Sequence, residues 1–155
     1  MDDASILLNS CASAGSLIGT AESCTGGLLS ALLTSIPGSS QAFDRGFVTY
    51  TDLAKNQMLN ISPDLIKSNG AVSKEVAVAM ARGVLTHSLA NLAVAITGIA
   101  GPSGATKNKP LGLVYIAAMK KNANPITKRS IFRGDRQSVR MQSVKLAIIM
   151  LRSIL

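Results

Sequence analysis

Apolar positions along the chain alternate between helical and strand-like spacing. Leu7, Leu8 and Cys11 recur at helical intervals within Ser5–Cys11, the mark of a short helix with one buried face. Leu17-Ile18-Gly19-Thr20-Ala21 reads as a buried strand, Leu28 to Leu33 as a helix, and Pro37-Gly38-Ser39-Ser40 as the turn that ends it. β-branched and aromatic residues crowd Phe47-Val48-Thr49-Tyr50-Thr51, the composition of a strand, and Asp52 stands where a helix running to Met58 needs an N-cap. Ser73 takes that place before a longer helix to about Leu89, with Glu75 in the first turn, where the helix dipole favours a carboxylate. Leu92-Ala93-Val94-Ala95-Ile96 is apolar without interruption, as expected of a strand covered on both faces. Gly98 to Pro110 is a loop. Leu113–Met119 and Ile126–Phe132 are two further strands joined by a turn over Asn122–Pro125, and Asp135 starts a last helix with a buried stripe of Val139, Ser143, Leu146, Met150 and Ile154. Five strands and about five helices, partly alternating, predict an α/β fold: one layered domain spanning 1–155, with a mixed, mostly parallel sheet, helices on both faces and an antiparallel last pair of strands.

Composition narrows the function. Hydrophobic residues make up 47% of the 155 and charged residues only 15%, so the chain buries a core and is not a solvating, disordered segment. Aromatics are 3% with no Trp, which disfavours recognition of single-stranded nucleic acid by base stacking. The net charge of +8 favours anionic partners. Many of the basic residues fall in the second half, including Lys107/Lys109, Lys120/Lys121 and Lys128/Arg129/Arg133/Arg136/Arg140, and most read as a solvated surface. Two Cys and one His cannot build a structural zinc site, and Cys11 and Cys24 form no CxxC pair. Met1-Asp2-Asp3 is acidic where a secretory signal needs a basic start, and no uncharged apolar run reaches a membrane-spanning length. The expectation is a cytoplasmic protein with free thiols, no membrane contact, and no metal or cofactor.

Four segments carry candidate chemistry. Thr20-Ala21-Glu22-Ser23-Cys24-Thr25-Gly26-Gly27 lies where a strand passes into a helix, the usual ligand edge of an α/β sheet. Ser23 there is a candidate nucleophile with neighbouring amides as oxyanion donors; the plain alternative is that Ser23 and Thr25 cap the helix. Ser40, Tyr50 and Lys55 supply a hydroxyl, a phenol and an amine within one strand–helix segment. His87 follows Met80 and Val84 on a helix, a structural or surface-facing position, so a hydrolase built here must use Lys55 as base. That requires burial or a nearby cation to lower its pKa, against the alternative of a solvated lysine. The Gly/Pro-rich segment from Ile96 to Gly112 offers Thr97, amides and Lys107 or Lys109 for a phosphate, or is only a mobile surface loop. Arg136, in Arg133-Gly134-Asp135-Arg136, offers a two-point contact to an anion, unless it pairs with Asp135 or another surface carboxylate.

Ala21-Glu22-Ser23-Cys24-Thr25-Gly26-Gly27, Gly46-Phe47-Val48-Thr49-Tyr50 with Lys55, Gly70-Ala71-Val72-Ser73, Thr97-Gly98-Ile99-Ala100-Gly101-Pro102 and Gly134-Asp135-Arg136 together resemble the CinA C-terminal domain family, which includes stand-alone nicotinamide-nucleotide amidases. The five motifs run in order over nearly the whole chain. The resemblance implies hydrolysis of the carboxamide of nicotinamide mononucleotide to nicotinate mononucleotide and ammonia. It implies a polar site of Ser23, Ser40, Tyr50, Lys55, Thr97 and Arg136, with Thr25, Gly26, Gly27, Gly98 and Gly101 at the substrate. Longer members carry an extra N-terminal domain, for which the roughly 20 residues ahead of the first motif leave no room. Ala105, Leu111 and Leu113 depart from the family's pattern, and Ala105 matters if the backbone there needs a positive φ.

Together these readings give Ser23 as nucleophile, Lys55 as base, the Gly-rich turn as oxyanion hole, and Arg136 or the basic loop as phosphate anchor. Ser40 is the rival nucleophile, or else orients Lys55 or the substrate. Tyr50 holds the lysine amine or relays a proton, unless it is a strand aromatic filling the sheet face. The expected partner is a small nucleotide, with a homo-oligomer expected and nucleic acid not. The rival class is an inactive or non-enzymatic basic module that binds a nucleotide, a nucleic acid or a protein; the charge of +8 is its direct support.

Overall fold

The computed structural model describes residues 3–155. Strands β1 (Ile18–Glu22), β2 (Phe43–Val48), β3 (Leu92–Gly98), β4 (Leu113–Lys120) and β5 (Ile126–Ile131) form one sheet in the order β2-β1-β3-β4-β5. β1 is parallel to both β2 and β3, with Glu22 opposite Val48 on one side and Ile96 on the other. β3–β4 and β4–β5 are antiparallel. β4 is thus reversed against four strands that run the same way, and the mixed sheet matches the expectation.

Helices cover both faces because strand side chains alternate between them. On one face Leu92, Val94 and Ile96 of β3 meet α1 (Asp3–Ser13), α2 (Leu28–Thr34) and α6 (Arg136–Ser153) through Leu7, Leu8, Leu29, Leu33, Val144 and Leu151. On the other, Ala93 and Ala95 meet α4 (Pro63–Asn69) and α5 (Lys74–Thr86) through Ile66, Val76, Met80 and Val84. Small residues bring α5 close: a Cβ on Gly19 would stand 2.5 Å from Val84 Cγ1. α3 (Asp52–Leu59) follows β2 and completes the six α-helices of the described residues, with a 3-10 turn over Ser39–Gln41.

Several boundaries differ from the hydrophobic pattern. β2 starts at Phe43 and stops at Val48, leaving Thr49-Tyr50-Thr51 outside it. Its Asp44-Arg45-Gly46 centre is polar because β2 is an edge strand, paired only with β1. Thr51, not Asp52, caps α3, its Oγ1 accepting from Ala54 N at 3.0 Å. α4 is a sixth helix that the pattern missed; it is seven residues long and opens on Pro63. Ser73 caps α5 as expected, accepting from Val76 N, but the helix ends at Thr86 with His87 as its C-cap. On α6, Val139, Ser143 and Met150 are buried, Leu146 and Ile154 are half-buried, and Val144, Ala147, Ile148 and Leu151 widen the stripe.

Candidate active site

The site begins at the C-terminal end of β1. Glu22 is fully buried, and its carboxylate accepts from Leu29 N at 2.8 Å, Ser30 N at 3.0 Å and Ser30 Oγ at 2.7 Å. The first turn of α2 is therefore capped from the strand, and Ser23 and Thr25 are free of that duty. Ser23 N donates to Ile96 O at 3.0 Å, which fixes Ser23 against β3. The turn from Cys24 to Gly27 closes through Gly26 N to Ser23 O and Leu28 N to Thr25 O, both 3.0 Å. Among the described residues the N–H groups of Cys24, Thr25 and Gly27 meet no acceptor.

Lys55 reaches this turn from α3. It is 1% exposed, and its Nζ stands 3.1 Å from Ser23 Oγ while donating to Thr49 O at 3.0 Å. Burial pushes its pKa below the ordinary 10.5, with the Asp52 carboxylate pulling the other way. The surface-lysine alternative is overturned. Cys24 is also buried beside Ser23, and burial raises its thiol to about 11. It stays protonated at neutral pH and is a poor nucleophile.

Ser23, Cys24, Tyr50, Asp52, Lys55 and Arg136 line a cavity of about 330 Å³ closed by the Ala71–Val72 wall and by Thr97 to Gly101 with Ser103 and Gly104. Thr97 Oγ1 donates to Ala71 O at 2.8 Å, joining the end of β3 to that wall. Gly98 lies tight against β4: a Cβ there would be 2.7 Å from Val114 Cγ2. Arg136 donates to Gly101 O and to Tyr50 Oη, both at 2.9 Å. Asp135 instead accepts from Ser138 N and caps α6, so the expected Asp135–Arg136 alternative is absent.

The structure thus gathers Ser23, Lys55, Tyr50, Thr97, Gly98, Gly101 and Arg136 around one cavity, with Thr25, Gly26 and Gly27 in the adjoining turn. It separates Ser40 from them. Ser40 is exposed on the 3-10 turn ahead of β2, and β2 runs parallel to β1 with Phe43 beside Ile18. The length of a five-residue strand, roughly 15 Å, therefore lies between Ser40 and Ser23. Tyr50 is half-exposed, outside any strand, and its phenol meets Arg136 and not Lys55. Lys109 is spent on Asn69 O and Val72 O, at 2.8 and 2.7 Å. Lys107 is exposed, and neither lysine lines the cavity. Ala105 is outside the left-handed region, so that departure strains nothing. His87 is exposed, with Nδ1 2.9 Å from Gly83 O.

Sequence reasoning missed three contributors. The Thr49 carbonyl is main chain and carries no residue signature. Asp52 reads in the sequence only as a cap. Arg140, counted with the solvated basic residues, donates from Nη2 to Thr25 O at 3.0 Å. Its spacing of four from Arg136, one helical turn, was the available signal.

The sequence profile of the CinA C-terminal domain matches residues 3–155. The nicotinamide-nucleotide amidohydrolase PncC of Escherichia coli K12 is 46% identical over 134 residues, 86% of this chain and 81% of that protein. A competence-damage inducible protein of Caldicellulosiruptor saccharolyticus is 48% identical over 139 residues; the match covers 89% of this chain but only 33% of that longer relative. Among solved structures, the competence/damage inducible protein CihA from Agrobacterium tumefaciens superposes with a TM-score of 0.93 at 42% identity, covering 99% of this chain and 96% of that one.

Proposed function

The chain belongs to the CinA C-terminal domain family, and on that footing we propose that it hydrolyses the carboxamide of nicotinamide mononucleotide to nicotinate mononucleotide and ammonia. The name of the Escherichia coli relative supports the substrate class. One observation carries the chemistry: a buried lysine amine 3.1 Å from a serine hydroxyl on the wall of a cavity. A cavity of about 330 Å³ is of the size that takes a small ligand.

In this reading the Lys55 amine, neutral and held by its N–H to Thr49 O, takes the Ser23 proton as Oγ bonds to the carboxamide carbon. The carbonyl oxygen becomes an oxyanion and turns to the unpartnered amides of Cys24 and Thr25. The C–N bond then breaks, the proton on Lys55 passes to the departing nitrogen, and ammonia leaves. Water, deprotonated by the same amine, attacks the Ser23 ester; the nicotinate nucleotide leaves and Ser23 recovers its proton. Arg136, steadied by Tyr50 and Gly101, offers its planar fork to the nucleotide phosphate. Ser40 has no part, because it lies outside the cavity.

Ammonia release from nicotinamide mononucleotide by the wild-type chain and by Ser23→Ala tests the proposal. We expect Ser23→Ala to lose at least about a thousandfold in kcat, in line with removal of a nucleophile. Retention of more than about a tenth of kcat, a loss under about 1.4 kcal/mol, would show that Ser23 is not the nucleophile. A wild-type chain that releases no ammonia yet binds duplex DNA with a steep salt dependence would restore the non-enzymatic reading.

A further inference from the structure

We propose that Arg140 is a positioning residue for this reaction: it holds the Thr25–Gly26 peptide through its carbonyl and so fixes the turn whose Cys24 and Thr25 N–H groups receive the negative charge developing on the substrate carbonyl. The proposal rests on the amidase reading and goes beyond it to a residue outside the cavity wall.

Arg136 and Arg140 sit one turn apart at the start of α6 and reach two different parts of the site. Arg136 holds Gly101 and Tyr50. Arg140 reaches across 115 residues of sequence to Thr25 O, and its Nη1 donates to Gln137 Oε1 at 3.1 Å. Its Nε is buried and finds no acceptor, and no carboxylate pairs with the guanidinium among the described residues. A half-buried cation without a counter-charge is a poor device for stability. It is a useful device where negative charge appears during the reaction.

The turn it holds needs such a tether. Gly26 and Gly27 are both left-handed, with φ of 58° and 98°, so the peptides there are easily re-aimed. The remaining hydrogen bonds of Cys24 to Gly27 are local, and Arg140 supplies the one from a distant element among the described residues. A Cβ on Gly26 would stand 3.7 Å from Arg140 Nη2, so the guanidinium lies over the turn itself. Both arginines also pull the Cys24 thiol downward against its burial, which places their positive field at the residue beside Ser23.

The test compares Arg140→Met and Arg140→Lys with wild type in three measurements: kcat and KM for ammonia release from nicotinamide mononucleotide, the rate at which a fluorophosphonate labels Ser23, and the melting temperature. For Arg140→Met we expect kcat to fall about 30- to 100-fold with KM within about threefold, the signature of an interaction made in the transition state. Labelling should slow in parallel, because the phosphonyl oxygen takes the same amides. Arg140→Lys is shorter and has one point of contact; it should fold and still lose about tenfold in kcat. Should Arg140→Met not fold, Arg140→Lys decides. A folded variant that keeps kcat and labelling within about threefold overturns the proposal, as does a loss confined to KM. If the wild-type chain is labelled but releases no ammonia, the substrate assignment fails and Arg140 is judged on labelling alone. If the wild-type chain does neither, both proposals fall.

Discussion

Among the described residues Lys55 is the largest of the fully buried side chains, and its burial bears on stability and, in the proposed mechanism, on rate. Its pKa lies below 10.5 in the folded chain and near the ordinary value in the unfolded one. Between those two values the unfolded chain binds more protons, so stability rises with pH through that window and the full penalty acts below it. On the proposed mechanism the rate should rise over the lower edge of the same window, as the amine becomes a base. Lys55→Met is therefore expected to lose about a thousandfold in kcat while raising the melting temperature at neutral pH, about 2–4 °C for each kcal/mol regained. Lys55→Arg, charged at every accessible pH, should lose as much activity and melt lower. A pH–rate profile and melting curves of the three proteins read this out; an active Lys55→Arg would show that the residue serves as a fixed charge. At this scale the sequence exposed Ser23, Lys55, Thr97 and Arg136 through residue type and motif. Ser40, close to Lys55 in sequence, lies apart from it because closeness in sequence means little across a parallel crossover, where the chain turns back at the far end of the sheet.

Elements legible in the sequence were those whose burial is one-sided or complete: α1, α5 and α6 by their stripes, β3 by its unbroken apolar run. β2 was misplaced because an edge strand satisfies only half the pattern, and α4 was missed because seven residues carry two turns and little periodicity. Gly112 joins elements in a way no pattern announces. Its N–H donates to Ile99 O at 2.8 Å and its carbonyl accepts from Phe132 N at 2.9 Å, so it ties the cavity loop to the end of β5. Its φ is 82°, and a Cβ would fall 2.0 Å from Phe132 O. Gly38 has the same φ with nothing within 4 Å of a Cβ. Gly38→Ala should then cost only the left-handed strain, about 1–2 kcal/mol. Gly112→Ala should cost at least about 2 kcal/mol more and lower kcat/KM as the loop shifts. Denaturant unfolding of both variants checks the difference, and equal losses would mean that the Phe132 contact relaxes freely.

The whole molecule carries a net charge of +8, read from composition as a preference for anions. If the substrate's phosphate is met by Arg136 within that field, kcat/KM for the mononucleotide should fall as salt rises from about 0.01 to 0.15 M, while the uncharged-tail nucleoside responds little. Arg136→Ala should flatten the salt dependence and leave the nucleoside nearly untouched; equal losses on both would make Arg136 a support of the cavity wall. The doubly covered sheet was legible in the sequence, whereas the way its two ends close on each other was not. α1 and α6 pack in one core, with Arg152 paired to Asp3, and α6 brings Arg140 to the turn after β1 and Arg136 to Gly101 and Tyr50. Synthesis runs from the N-terminus, so a ribosome delivers Ser23, Lys55 and Thr97 well before either arginine. The nascent chain carries its serine and lysine without the two arginines, and on the proposed mechanism catalytic competence arrives with α6, at the same moment as the closed core.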